Sequence, residues 1–266
     1  MLKIGVCGVG GRMGQLVAAL VRDSEDLLLV ACTEAPGHPL VGQDVGAACG
    51  RPPVGVPISA DAQALAAAAV AIDFTRPAAT LQAARVCAAA GVAMVVGTTG
   101  FTAAELAEFR RAVAPIACVF SPNYSTAMNL LFKLVREAAA VLGEQYDVEV
   151  IEAHHRHKVD APSGTALRLA EAAAAGLQLD LARSAVYGRQ GVTGERPRQQ
   201  IGIHAIRAGD LVGDHTVLYG GPGECLELRH RATSREAFAR GALRAARFAA
   251  QARPGLYSMA DVLGTA

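Results

Sequence analysis

Residues 152–166 read EAHHRHKVDAPSGTA, the densest polar chemistry in a chain of 266 residues. Three of the seven histidines sit here, beside Arg156 and Lys158. Cations this close repel one another unless an anion lies among them. In a strand His154 and His155 point to opposite faces, so they serve different roles. Histidine is suited to proton transfer near neutral pH. No acid or cysteine completes a familiar metal-ligand set, so no metal ligand is assigned. Ser163 is a natural N-cap for a helical run over 166–175. Gly164 and Thr165 would then offer backbone N–H groups, and the positive end of the helix dipole, to a carboxylate. This is a site for a small, multiply acidic molecule undergoing acid–base chemistry. A solvated basic loop is the competing reading.

A second constellation lies at the N-terminus, KIGVCGVGGRMGQLVAAL over 3–20. Its pattern is a strand, a glycine turn and a helix, which lets the backbone approach a pyrophosphate. Gly8 and Gly10 fit the first two positions of GxGxxG, but Met13 occupies the third. GxxGxxG on Gly8, Gly11 and Gly14 describes the turn better, with Val9 and Arg12 filling it. Glu34 stands 34 − 14 = 20 residues past Gly14. A carboxylate there accepts hydrogen bonds from ribose hydroxyls. Gly97, Thr98 and Thr99, in the loop GTTG, follow a predicted strand at the edge where α/β sheets bind ligands. No GxxxxGK[ST] is present, which excludes a nucleotide-hydrolysing P-loop.

The elements that must position these residues follow from hydrophobic patterning. Strands are predicted over 2–7, 28–33, 70–74, 93–97 and 116–120, without polar alternation. Helices are predicted over 12–22, 62–69, 78–90 and 103–113, with Asp61, Pro77 and Thr102 at helix starts. That alternation means βαβ units and a parallel sheet. After Pro122 the texture changes. A helix over 127–142 ends at Gly143, and longer strands are expected over 147–155, 200–207, 211–219 and 224–231. The last three are expected to form an antiparallel meander, and a helix over 234–251 closes the chain.

Composition narrows the classes. Lys and Arg number 25 against 24 Asp and Glu, a net +1 that argues against a nucleic-acid binder. Hydrophobic residues make up 52% and charged residues 18%, so the chain folds. The densest apolar stretch, 86–96, is too short for the roughly 20 residues of a membrane span, and the N-terminus lacks a signal-type apolar region. A cytosolic place is expected. None of the six cysteines forms a CxxC pair, which excludes a zinc ribbon or thioredoxin-type redox site at the motif level.

GVGGRMG, DFTRP, GTTGF, SPNYS, EAHHRHKVDAPSGTA and the later GERPRQQIGIHAIRAGDLVGDHTV together resemble the 4-hydroxy-tetrahydrodipicolinate reductase (dihydrodipicolinate reductase) family of the diaminopimelate route to lysine. The match runs over nearly the whole chain. The HHRHK…SGT arrangement is specific, whereas the glycine turn is shared by many dinucleotide proteins. The resemblance implies an α/β fold: a Rossmann-like parallel-sheet dinucleotide domain, over 1–125 with 235–266, and a mixed α/β substrate and tetramerisation domain over 126–234. It implies reduction of a cyclic dicarboxylate with NADH or NADPH and loss of water, by a homotetramer. His154 would be the proton donor and acceptor, and Lys158 a proton donor. His155, Gly164 and Thr165 would hold substrate carboxylates. Residues 8–13, Glu34 and 97–99 would line the dinucleotide, together with Ser121, Pro122, Asn123 and Tyr124.

Two departures matter. Some members carry an arginine after the ribose acid, suited to a 2′-phosphate. Here Ala35 follows Glu34, which favours NADH, although Arg12 could reach a phosphate. Tyr124 stands where phenylalanine is frequent, adding a hydroxyl that needs a partner. Two other readings stay open. A different amino-acid or semialdehyde dehydrogenase would share the glycine turn without requiring the histidine–lysine arrangement. A non-catalytic dinucleotide sensor would leave the cationic cluster idle.

Overall fold

Apolar strands without polar alternation need cover on both faces. The computed structural model, which describes residues Met1–Thr265, supplies it. The chain divides into two compact units, Met1–Thr126 with the segment from Glu236 onward, and Ala127–Arg235. In the first, strands β1 (Leu2–Cys7), β2 (Leu27–Thr33), β3 (Ile58–Ser59), β4 (Val70–Asp73), β5 (Ala93–Val96) and β6 (Ala117–Phe120) are joined by a late strand, Gly255–Tyr257, at the edge. With that strand labelled β12, the sheet order is β12-β6-β5-β4-β1-β2-β3. Every pairing is parallel. The order reverses beside β1, and such a switch point opens a crevice at the carboxyl ends of the strands.

Helices α1 (Arg12–Arg22), α2 (Val45–Ala48), α3 (Pro77–Ala90) and α4 (Ala103–Val113) belong to this unit, with α8 (Glu236–Ala249) and α9 (Met259–Leu263). Alternate strand residues feed two cores. Val95 packs with Val17 of α1 and Ala242 of α8, whereas Met94 and Val96 pack with Leu81 of α3 and Phe109 of α4. The expected helix over 62–69 is instead a 3₁₀ helix, Ala62–Ala67, started by Asp61 accepting from Gln63 N–H. The expectation missed β3 and β12, which are two and three residues long and give no periodic signal.

The second unit holds α5 (Thr126–Leu142), β7 (Asp147–His154), α6 (Gly164–Leu177), α7 (Leu181–Ser184), β8 (Ala185–Tyr187), β9 (Ile201–Arg207), β10 (Gly213–Gly221) and β11 (Glu224–Ala232). Its sheet order is β11-β10-β7-β9-β8. The inward residues of β7 pack with Leu131 and Val135 of α5 and Leu169 of α6. These two helices approach closely because a Cβ on Gly176 would stand 2.4 Å from the Arg136 carbonyl oxygen.

The meander expectation is corrected here. Only β10 and β11 form a hairpin, while β7 lies between β10 and β9 and runs parallel to β9. The Gly-Asp turn at 208–210 is a bridge across the end of β7. Ala208 N–H donates to His154 O, and Arg156 N–H donates to Gly209 O. A turn signal shows that the chain reverses, not whether its flanking strands are neighbours. Among the described residues no helix is long and apolar enough to cross a membrane.

A Cβ on Gly241 of α8 would fall 1.7 Å from the Tyr124 carbonyl oxygen, a clash with backbone. Gly241→Ala should therefore cost about 1–3 kcal/mol of stability. Urea unfolding should show a lower midpoint at unchanged slope, and an unshifted midpoint would refute the close approach.

Candidate active site

The inward positions of β7 run Val148, Val150, Glu152, His154, so an apolar face gives way to two ionisable groups at the strand end. Glu152 is 0% exposed and His154 9%. A buried carboxylate is costly unless both oxygens are partnered. Arg207 Nη1 donates to Oε2 at 2.8 Å and Nη2 to Oε1 at 2.9 Å. Ser163 N–H donates to Oε1 at 3.0 Å, and His154 Nδ1 lies 2.6 Å from Oε2. Burial works to raise the Glu152 carboxyl. The guanidinium, the imidazole and the Ser163 N–H outweigh it and hold the group below its ordinary value.

Ser163 caps α6 as expected, its Oγ accepting from Ala166 N–H at 3.1 Å. That places Gly164 and Thr165 in the first helical turn, where the dipole is positive. Ser163 Oγ also lies 3.2 Å from His215 Nε2. His215, on β10, meets His154 edge-on with ring centroids 5.1 Å apart. Burial, then the neighbouring His154, pushes His215 down to about 4, so it stays neutral at pH 7.

The cation run thus finds its anions within the chain. Lys158 Nζ is 2.8 Å from Asp160 Oδ1, and Glu152 serves His154 and Arg207. The backbone of His155 donates to Leu211 O at 2.8 Å, and its ring centroid is 6.2 Å from that of His157. Among the described residues no group of three or more His, Cys, Asp or Glu is placed to hold a metal ion.

In the first unit, Gly8 adopts φ +65°, the left-handed conformation that glycine tolerates. A Cβ on Gly14 would sit 2.1 Å from the Gly8 carbonyl oxygen, so α1 can start this close to β1 only with glycine there. Glu34 reaches back from the end of β2. Its Oε2 accepts from Gly10 N–H at 2.8 Å and its Oε1 from Ala35 N–H at 2.9 Å. A cavity of about 650 Å³ opens here, walled in part by Gly8, Gly11, Glu34, His38, Thr75 and Arg76. Arg12 and Met13 open α1.

Gly97, Thr98 and Thr99 follow β5, and Ser121, Pro122, Asn123 and Tyr124 follow β6, along the same carboxyl edge of the sheet. Val9, Thr98 and Tyr124 are buried as whole residues. The added hydroxyl of Tyr124 finds its partners, lying 2.9 and 2.8 Å from the carbonyl oxygens of Val96 and Val119.

Sequence reasoning did not single out Glu152, Arg207, His215 or Asp73. The period-two spacing of Glu152 and His154 was a usable signal for one face. Arg207 is 55 residues from Glu152, and His215 is 52 from Ser163, which no local pattern reveals. Asp73, fully buried at the end of β4, accepts from Thr75 N–H at 2.7 Å and from Thr75 Oγ1 at 2.6 Å, and burial pushes its carboxyl up.

A parallel-sheet unit with a glycine turn after its first strand is of the Rossmann-like dinucleotide-binding class, and the histidine cluster is carried on the second unit. The chain belongs to the dihydrodipicolinate reductase family: the family's N-terminus matches residues 2–124 and its C-terminus residues 127–263. A 4-hydroxy-tetrahydrodipicolinate reductase of Anaeromyxobacter sp. (strain Fw109-5) is 54% identical over 265 residues, covering 99% of this chain and 98% of that protein. The enzyme of the same name from Nitrosomonas europaea is 52% identical over 264 residues, with the same coverage. Among solved structures, the dipicolinate-bound dihydrodipicolinate reductase of Paenisporosarcina sp. TG-14 aligns with a TM-score of 0.74 at 26% identity, covering 97% of each chain.

A neutral buried His215 sets a sign for stability against pH. Its folded value near 4 lies below the unfolded value near 6.5, so the unfolded chain binds a proton that the folded chain refuses. Its contribution is intact above pH 6.5 and is lost as pH falls to about 4, by roughly 3 kcal/mol in all. Urea midpoints compared at pH 7 and pH 5 should fall for the native chain and much less for His215→Gln. Equal falls would remove His215 as the cause.

Proposed function

We propose that this chain reduces 4-hydroxy-tetrahydrodipicolinate to tetrahydrodipicolinate with a nicotinamide dinucleotide and loss of water, a step toward diaminopimelate and lysine. The observation that carries the reading is His154, held at Nδ1 by a buried Glu152 that also accepts from the N–H of Ser163, the N-cap of α6.

The residues present fit a dinucleotide. Gly8 takes the left-handed turn, Gly14 leaves the space a side chain would fill, and Glu34 is fixed at both carboxylate oxygens by backbone N–H groups. The bound cofactor supplies a hydride. Gly8 to Met13 would face its pyrophosphate and Glu34 its ribose, with 97–99 and 121–124 along the same strand edge. An acidic Glu34 followed by Ala35 favours NADH. Arg12 at the glycine turn and Arg76 in the cavity wall are cations available to a 2′-phosphate.

In the second unit, Gly164 and Thr165 at the helix start and His155 would hold the substrate carboxylates. A hydride added to a conjugated imine leaves negative charge on the ring, which a proton must quench. His154 would deliver it from Nε2, because Nδ1 faces Glu152. Lys158 would serve as a second proton donor, with Asp160 holding its ammonium group. The cationic surroundings stabilise both the carboxylates and the developing charge. The same reading places the enzyme in the cytosol as a homotetramer, without nucleic-acid or membrane partners.

Three measurements test it. His154→Gln should lower turnover by roughly 10²- to 10⁴-fold with the fold intact, and near-native turnover would remove His154 from the chemistry. Ala35→Arg should raise the NADPH/NADH ratio of kcat/KM, and an unchanged ratio would mean the 2′ position is read elsewhere. Thermal unfolding should rise with NADH and separately with pyridine-2,6-dicarboxylate, by about 2.7 kcal/mol at 100 times Kd. A sensor would respond to the dinucleotide alone.

A further inference from the structure

The strand that carries His154 places one carboxylate where its own pattern calls for a hydrophobic side chain. Val148 and Val150 fill the preceding inward positions of β7, and an aliphatic residue at 152 would continue that face. Instead Glu152 is completely buried and accepts from three directions. Two parallel bonds from Arg207 fix the plane of the carboxylate, and Arg207 is itself anchored by the carbonyl oxygens of Ile206 and Asp160, at 2.7 and 2.6 Å. The oxygen left facing the imidazole, Oε2, stands 2.6 Å from His154 Nδ1. A carboxylate can only accept, so Nδ1 must carry the proton.

We propose that Glu152 is the positioning residue of the proton-transfer site, locking His154 as the Nδ1–H tautomer so that protons enter and leave only at Nε2. The proposal rests on the assignment of His154 as the proton donor and acceptor. The other side of the ring agrees with it. A Cβ on Gly213 would stand 3.1 Å from His154 Nε2 and 3.4 Å from Cδ2, so glycine at 213 keeps the space beside that nitrogen clear. His215 packs against the ring edge-on, but its Nε2 is taken up with Ser163 Oγ rather than with His154. The imidazole is therefore held at one nitrogen and open at the other, the division of labour a reversible proton carrier needs.

Neutralising Glu152 has a definite consequence for the ring. In Glu152→Gln the amide oxygen can still accept from Ser163 N–H, and its NH₂ then faces Nδ1. An NH₂ donates, so Nδ1 must lose its proton and Nε2 gain it. The neutral imidazole then cannot accept a proton at the atom open to substrate.

Solid-state ¹⁵N spectra of the full-length enzyme labelled at histidine, at pH 8, read the tautomer directly, with His154→Gln identifying the signal. The native enzyme should show Nδ1–H and a bare Nε2, and an Nε2–H tautomer overturns the proposal. Glu152→Gln should switch the signal and lower kcat by about 10²-fold or more, as expected of a histidine held in the wrong tautomer. KM and the Kd for pyridine-2,6-dicarboxylate should change by no more than about threefold. Native kcat, or a rise in KM at native kcat, also overturns it. Should Arg207, left facing an amide, unfold that variant, Glu152→Gln with Arg207→Met removes the opposing donor and takes its place. The native spectrum decides the tautomer without any variant. If His154→Gln keeps near-native turnover, the reading of the site fails. If that variant is inactive while Glu152→Gln is normal, only the role of Glu152 fails.

Discussion

One buried negative charge organises the second unit. A carboxylate removed from water costs several kcal/mol unless it is paired and hydrogen-bonded. At position 152 that requirement is met by residues from three separate segments: Arg207 on β9, Ser163 at the start of α6, and His154 two places along the same strand. Each partner is then committed to a place. β9 must lie directly beside β7 for the guanidinium to reach, and α6 must begin where its capping residue can donate inward. The charge thus couples the His154 ring to the start of α6, the two groups proposed to move the proton and to hold substrate carboxylates.

The two units solve opposite electrostatic problems. The first prepares for a ligand that brings its own negative charge, and it does so with backbone. Glycines give close approach, a helix start gives a dipole, and the acid at the end of β2, Glu34, is tied down by main-chain N–H groups. The second, in the proposed reading, would handle a dicarboxylate and a moving proton with side chains of both signs, which are paired locally with one another. A reductase needs both. Hydride chemistry belongs to the cofactor, whereas the proton and the orientation of the substrate must come from the protein.

Most of the first unit was legible because its signals are local. β1 and α1 begin and end where the glycine turn and the apolar run put them, and Thr102 builds the capping box its spacing with Glu105 implies. The Ser163 cap was legible for the same reason, sitting on a short motif before an apolar run. Glu152, Arg207 and His215 were not, because their meaning lies in contacts between strands distant in sequence. The meander expectation failed on the same ground. Turn residues between 207 and 213 announce a reversal of direction, and only tertiary packing reveals that β7 occupies the gap.

The bridge over the end of β7 also ties geometry to an unexpected part of the chain. Ala208 N–H holds the His154 carbonyl, His155 N–H is bound to Leu211 O, and Arg156 N–H to Gly209 O. Connections between strands ordinarily absorb insertions and deletions with little effect. This one is stitched to the main chain on both sides of the histidine pair. Changes of length there would be transmitted to the backbone that carries His154 and His155, so this surface segment carries the tolerances of the buried histidine cluster rather than those of a loop.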